Sequence, residues 1–184
     1  EPVETDLGEY IIQLADETPF HIIAPAIHKS RSEVSNLFSE KLHVPVYENI
    51  EDLTREANKQ LRQKFIDAGM GITGANFVVA ETGTVTLVTN EGNGRMCTSM
   101  PKIHVAITGM EKVIPSIDDL GTFLRLLIRS ATGQRISSYV TTVNGPRHDE
   151  ELGGPEEFHL VIVDNGRSKM LADPHLREAL YCLK

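Results

Sequence analysis

The stretch GITGANFVVAETGTVTLVTNEGNGR, residues 71–95, decides the fold. It holds two β-branched runs, NFVVA (76–80) and TVTLVT (84–89), separated by Glu81-Thr82-Gly83. That separation is the length of a hairpin turn, so a β-hairpin is expected over residues 76–89. In the second run Thr84 and Thr86 alternate with Val85 and Leu87, which predicts one polar face. Gly69, Gly71 and Gly74 spell G-x-G-x-x-G just before it. A dinucleotide site needs a strand before that motif and a helix after it. Here a helical pattern precedes and a strand follows, so a tight helix-to-strand connection is expected instead.

Outward from the hairpin, helices and strands alternate. Ser30 and Glu33 have capping-box spacing ahead of a helix from about Ser30 to Leu42, with Val34, Leu37, Phe38 and Leu42 as its stripe. A second helix is expected from about Asp52 to Ala68, stopped by Gly69. Ser116 caps a third, whose stripe Leu120, Phe123, Leu124, Leu127, Ile128 and Ala131 runs to Gly133. Asp173 and Pro174 start a fourth, with Leu176, Ala179, Leu180 and Leu183 on one side. A weaker pattern covers Leu7–Leu14. Further strands are expected at 21–24, 102–108, 138–143 and 158–163. Several are apolar along their length, as in a sheet covered on both faces. The class is α/β, a layered domain with a mixed, mostly parallel sheet. Gly153-Gly154-Pro155 reads as a loop rather than a boundary, leaving one domain over residues 1–184.

Composition narrows the function classes. The 184 residues are 40% apolar and 24% charged, with net charge −8. Six acids and no base lie in residues 1–20, which leaves the other 164 residues at −2. No basic stripe and few aromatic residues argue against a nucleic-acid partner. No apolar run approaches the roughly 18 residues of a membrane span. Two cysteines, Cys97 and Cys182, make no disulfide framework, and a cytoplasmic setting is expected.

Candidate chemistry collects at strand ends. Asn90, Gly92, Asn93, Gly94 and Arg95 follow one strand, Asn144 and Arg147 a second, Asn165 and Arg167 a third. Glycines let backbone N–H groups approach an anion, and arginine supplies a fork for carboxylate or phosphate. Turn chemistry alone explains each Asn-Gly pair. The competing expectation is one shared anion-binding cleft that also takes in Thr73, Gly74, Asn76, Thr82 and Gly83, with Glu81 as a polar lining. The histidines lack ligand spacing, and no self-contained metal site is expected. His104 reads as a partly exposed strand residue, and His148 and His159 as minor acid–base candidates. Cys97 reads as a buried small apolar residue. Cys182 falls off the stripe of the last expected helix.

The runs VETDLGEYIIQL (3–14), HIIAPAIHK (21–29), residues 71–95, PKIHVAITGMEK (101–112), SYVTTVNGPR (138–147) and GPEEFHLVIVDNGRS (154–168) resemble the LUD domain of lactate-utilisation proteins, in particular its iron–sulfur subunit. The resemblance implies a NagB/RpiA/CoA-transferase-like fold. It also implies a part in bacterial oxidation of L-lactate to pyruvate, with the other lactate-utilisation subunits as partners. In such proteins a ferredoxin-like region with two [4Fe–4S] clusters follows a segment like REALYC (177–182), and Cys182 matches its first ligand. The chain would then be a trimmed LUD domain, lacking an upstream segment and the cluster region. No cofactor and no activity of its own are expected in this piece, and electron transfer belongs to the longer protein. Two other readings remain. Ala-Glu-Thr-Gly (80–83) resembles the Ser-Glu-Asn-Gly of CoA transferases, which would make Glu81 a nucleophile. The other is a non-catalytic docking module.

Overall fold

The computed structural model describes residues 1–21, 24–137 and 139–181. They form two compact units, Glu1–Asp67 and Ala68–Lys184. The first holds three helices: α1 (Leu7–Ala15), α2 (Arg31–Leu42) and α3 (Ile50–Asp67). Each begins where the sequence supplies acceptors for the open N–H groups of a first turn. Asp6 accepts from Gly8 N at 3.2 Å. The expected box at α2 is complete, with Ser30 Oγ accepting from Glu33 N and Glu33 Oε2 from Ser30 N. Tyr10, Ile11, Phe38, Leu53, Ala57 and Leu61 form the core, and the Tyr10 and Phe38 rings meet edge to face at 6.4 Å. Ser35 Oγ donates to Tyr47 O and accepts from Tyr47 N, which ties the link before α3 to α2.

The second unit contains β1 (Met70–Gly74), β2 (Phe77–Val79), β3 (Thr84–Thr89), α4 (Asn93–Ser99), β4 (Ile103–Gly109), β5 (Val113–Ile114), α5 (Ile117–Thr132), β6 (Tyr139–Val143), β7 (Glu157–Val163) and α6 (Arg167–Ala172). The α/β class and the hairpin are as expected, and the strands divide between two sheets. One is parallel, ordered β1-β4-β7. The other is mixed, ordered β5-β2-β3-β6, with β2–β3 as its antiparallel hairpin. Gly83, at φ +71°, closes the hairpin turn, a conformation glycine adopts without strain. One face of the mixed sheet packs Phe77 and Val79 against Leu120 and Leu127 of α5. The other packs Val78, Val85 and Leu87 against Ala106 of β4.

This two-sided burial corrects several expectations. The polar face expected at Thr84 and Thr86 is a buried one, because it lies beneath α5. His104 is fully buried, since it sits on the central strand β4 with its ring 5.2 Å from that of Phe158. Its Nε2 bonds Thr73 Oγ1 at 2.9 Å, and burial lowers its pKa. The glycine-rich connection at 70–74 is a strand. Gly71 is required there because a Cβ would lie 2.0 Å from the Cys97 carbonyl oxygen. Residues 93–99 are a short helix rather than a loop. No α-helix starts at Asp173. That residue ends α6, its Oδ1 accepts from His175 N, and a 3₁₀ turn follows over Arg177–Tyr181. A run this short gains few helical bonds for the ordering it requires. The strand expected at 21–24 includes Ile22 and Ile23, which lie outside the described residues, as does Leu183.

Two outcomes follow from this packing. Alanine at Gly71 should lower unfolding free energy by about 1–3 kcal/mol, because a backbone carbonyl cannot swing aside; urea denaturation measures it. The second concerns Glu9. Burial and a hydrogen bond to Asp6 raise its pKa to about 7, and its Oε2 is buried without a partner. The folded state therefore holds this proton more tightly than the unfolded chain. That contribution is complete below about pH 4.5 and is lost as pH rises through 7. Glu9→Gln should match the parent in thermal midpoint near pH 4 and exceed it at pH 8. Equal midpoints at both values would show that Glu9 ionises without penalty.

Candidate functional site

β3 and β6 run antiparallel, with Thr89 opposite Tyr139. At this end of the pair the chain leaves β3 through Asn90, Glu91 and Gly92 and enters α4. Thr89 Oγ1 donates to Glu91 O at 2.8 Å, which holds the turn. Gly94 sits where a Cβ would lie 3.1 Å from Thr89 Cγ2. Thr98 and Ser99 hydroxyls both donate back to Arg95 O, at 2.9 and 2.7 Å, and fix the backbone around Arg95. The exposed Arg95 guanidinium lies 5.0 Å from the centre of the Tyr139 ring. The ring face attracts the cation, and an arginine's N–H groups suit a carboxylate or phosphate.

The other expected site residues lie elsewhere. Val143, at the end of β6, is opposite Val85, so Asn144 and Arg147 follow the far end of this strand pair. Arg147 N donates to Pro155 O at 2.8 Å, and its Nη2 to Glu156 at 3.0 Å, just ahead of β7. Arg167 lies past the other end of β7, where it pairs with Glu111. Seven residues of extended β7 span roughly 20 Å between those two positions, so the three arginines do not share one cleft. Turn geometry accounts for the third Asn-Gly, because Asn165 and Gly166 both have positive φ, at 43° and 84°.

The residues around the hairpin serve the fold. Asn76 Oδ1 accepts from Val88 N and Asn76 N donates to Thr86 O, lengthening the hairpin ladder. Thr82 Oγ1 bonds Thr84 Oγ1 at 2.7 Å. Thr73 is held by His104, and Gly74 is the last residue of β1. Glu81 Oε2 accepts from Ile117 N at 3.1 Å, so this carboxylate caps α5 beside Ser116. His148 N donates to Glu151, and the exposed His159 contacts Glu157 on the same strand.

Two contributors escaped the sequence reading. Tyr139 meets Arg95 only through pairing of distant strands, and no local pattern announces it. Glu111 has a signal two residues upstream: a Cβ on Gly109 would fall within 2.1 Å of its carboxylate. Among the described residues no group of three or more His, Cys, Asp or Glu side chains could hold a metal. Cys97 is buried, and Cys182 lies outside the described residues.

Residues 1–163 match the LUD domain family profile. The chain is 49% identical over 185 residues to Lactate utilization protein B of Shouchella clausii (strain KSM-K16), covering all of this chain and 39% of that protein. It is 51% identical over 187 residues to Lactate utilization protein B of Bacillus cereus (strain AH820), covering all of this chain and 38% of that protein. The chain thus spans about two fifths of the length of these relatives. A solved duf162 family protein from Deinococcus radiodurans aligns with TM-score 0.42 and 17% identity, over 55% of this chain and 57% of that one. No described helix is long and apolar enough to cross a membrane. With residues 1–163 matched and about half of all positions identical to those relatives, the chain belongs to the LUD domain family.

Proposed function

We propose that the chain is the LUD domain of a lactate-utilisation protein of the B type, and that it holds a small carboxylate at Arg95. The identity of about half along the whole chain to proteins named Lactate utilization protein B carries the first part. The guanidinium placed over the Tyr139 ring supports the second. Lactate and pyruvate each present one carboxylate, which an arginine fork binds through two parallel N–H···O bonds. Partners in this reading are the other lactate-utilisation proteins. Glu81 takes no covalent part in it, since its carboxylate caps α5.

In this reading a longer protein carries [4Fe–4S] clusters, with Cys182 as one ligand. A cluster of that kind is held by four thiolates. This chain offers two cysteines, one of them buried in α4. Its residues do not fit the group, and no electron-transfer step is assigned to them.

Isothermal calorimetry with L-lactate and with pyruvate tests the carboxylate site. Arg95→Ala should weaken binding roughly 10- to 150-fold, the loss of a charge-assisted bond, without moving the thermal midpoint. Equal affinity in parent and variant removes Arg95 from the site. Anaerobic purification tests the cluster assignment. The 184-residue chain should be colourless, and an extended chain including the cysteine-rich region should be brown. Cys182→Ser in the extended chain should lower its iron content; unchanged iron and spectrum would dismiss Cys182 as a ligand.

A further inference from the structure

The loop between β6 and β7 is tied at its neck and carries an apolar tip. Arg147 N donates to Pro155 O, and the Arg147–Glu156 ion pair, at 3.0 Å, closes the same point. Inside the loop His148 N donates to Glu151 Oε2 at 2.7 Å, and Glu151 N to His148 O at 3.0 Å. Leu152 follows and is completely exposed, at 102% of its reference area. Asp149 and Glu150, both exposed, stand beside it. Elsewhere on the same chain the three-helix unit has an apolar cavity of about 280 Å³, lined by Ile11, Val34, Phe38 and Leu53. The polar residues of its lining are Lys29, Arg31 and Thr54. Lys29 is paired with Glu17 at 2.6 Å, whereas the exposed Arg31 has no ion pair among the described residues.

We infer that Leu152 of one copy enters this cavity on a second copy, with Asp149 and Glu150 set against Arg31. An acid-flanked leucine and an apolar cavity whose lining includes Lys29 and Arg31 complement each other in polarity and in charge. The tied neck orders the loop before contact, so little loop entropy remains to be lost on docking. One leucine anchor and a few exposed charges make the contact weak.

Sedimentation velocity of the 184-residue chain, from roughly 10 μM to roughly 1 mM, tests the inference. The weight-average mass should rise with concentration. Leu152→Asp should weaken the association at least roughly tenfold, and its side chain makes no core contact that folding needs. Arg31→Glu should weaken it at low salt, and Arg31→Glu combined with Glu150→Arg should restore it. A parent chain that stays monomeric throughout overturns the inference. So does self-association untouched by Leu152→Asp, or a double variant no better than Arg31→Glu alone.

Discussion

Val78 and Val79 are neighbours in sequence and are buried on opposite faces of one sheet. The second unit depends on that constraint. The β2–β3 hairpin is the layer between α5 on one side and β4 on the other, so every side chain of β2 must be apolar. Burial of this kind gains roughly 25 cal/mol for each Å² of apolar surface removed from water. It also makes the hairpin intolerant of polar substitution on either face. Of the polar groups that remain inside, Thr84 Oγ1 is satisfied locally by Thr82, whereas Thr86 Oγ1 is buried without a hydrogen-bond partner. Arg95 inherits its position from the same layer, because the ring beneath it belongs to the strand paired with β3.

Much of this architecture was legible from residues. The hairpin, the capped helices α2 and α5 and the strands β4, β6 and β7 follow from period and punctuation, which act over a few residues. Burial of Thr84, Thr86 and His104 was not legible. A threonine every second residue looks like a solvent face until a helix from 30 residues downstream covers it. A histidine on a strand gives no sign of whether that strand is central or at an edge. The glycines at 69–74 misled for a related reason. Gly71 answers to the Cys97 carbonyl, 26 positions away, and not to a local turn.

The candidate site divides the same way. Each Asn-Gly with its arginine was visible as a motif, yet motifs at strand ends meet only if those ends point together. Antiparallel pairing of β3 with β6 sends Arg95 and Arg147 to opposite ends, and β7 separates Arg147 from Arg167. Glu81 suits two roles in sequence, and the structure shows its carboxylate bonded at a helix start. Its four-residue surroundings resemble those of a nucleophile, while its bond to Ile117 N makes it a helix cap.

The two sheets also differ in how far apart along the chain their strands lie. β2 and β3 are joined by a short turn, whereas the parallel sheet pairs Met70 with Ile103 and Ile103 with Glu157. Loop-closure entropy grows with the length of chain enclosed, and distant pairings slow folding. The hairpin can therefore form early as a local nucleus, while β7 joins β4 only after most of the second unit has been synthesised. Until then the apolar edge of β4 stands open, and chaperone protection of this protein would matter most in that interval.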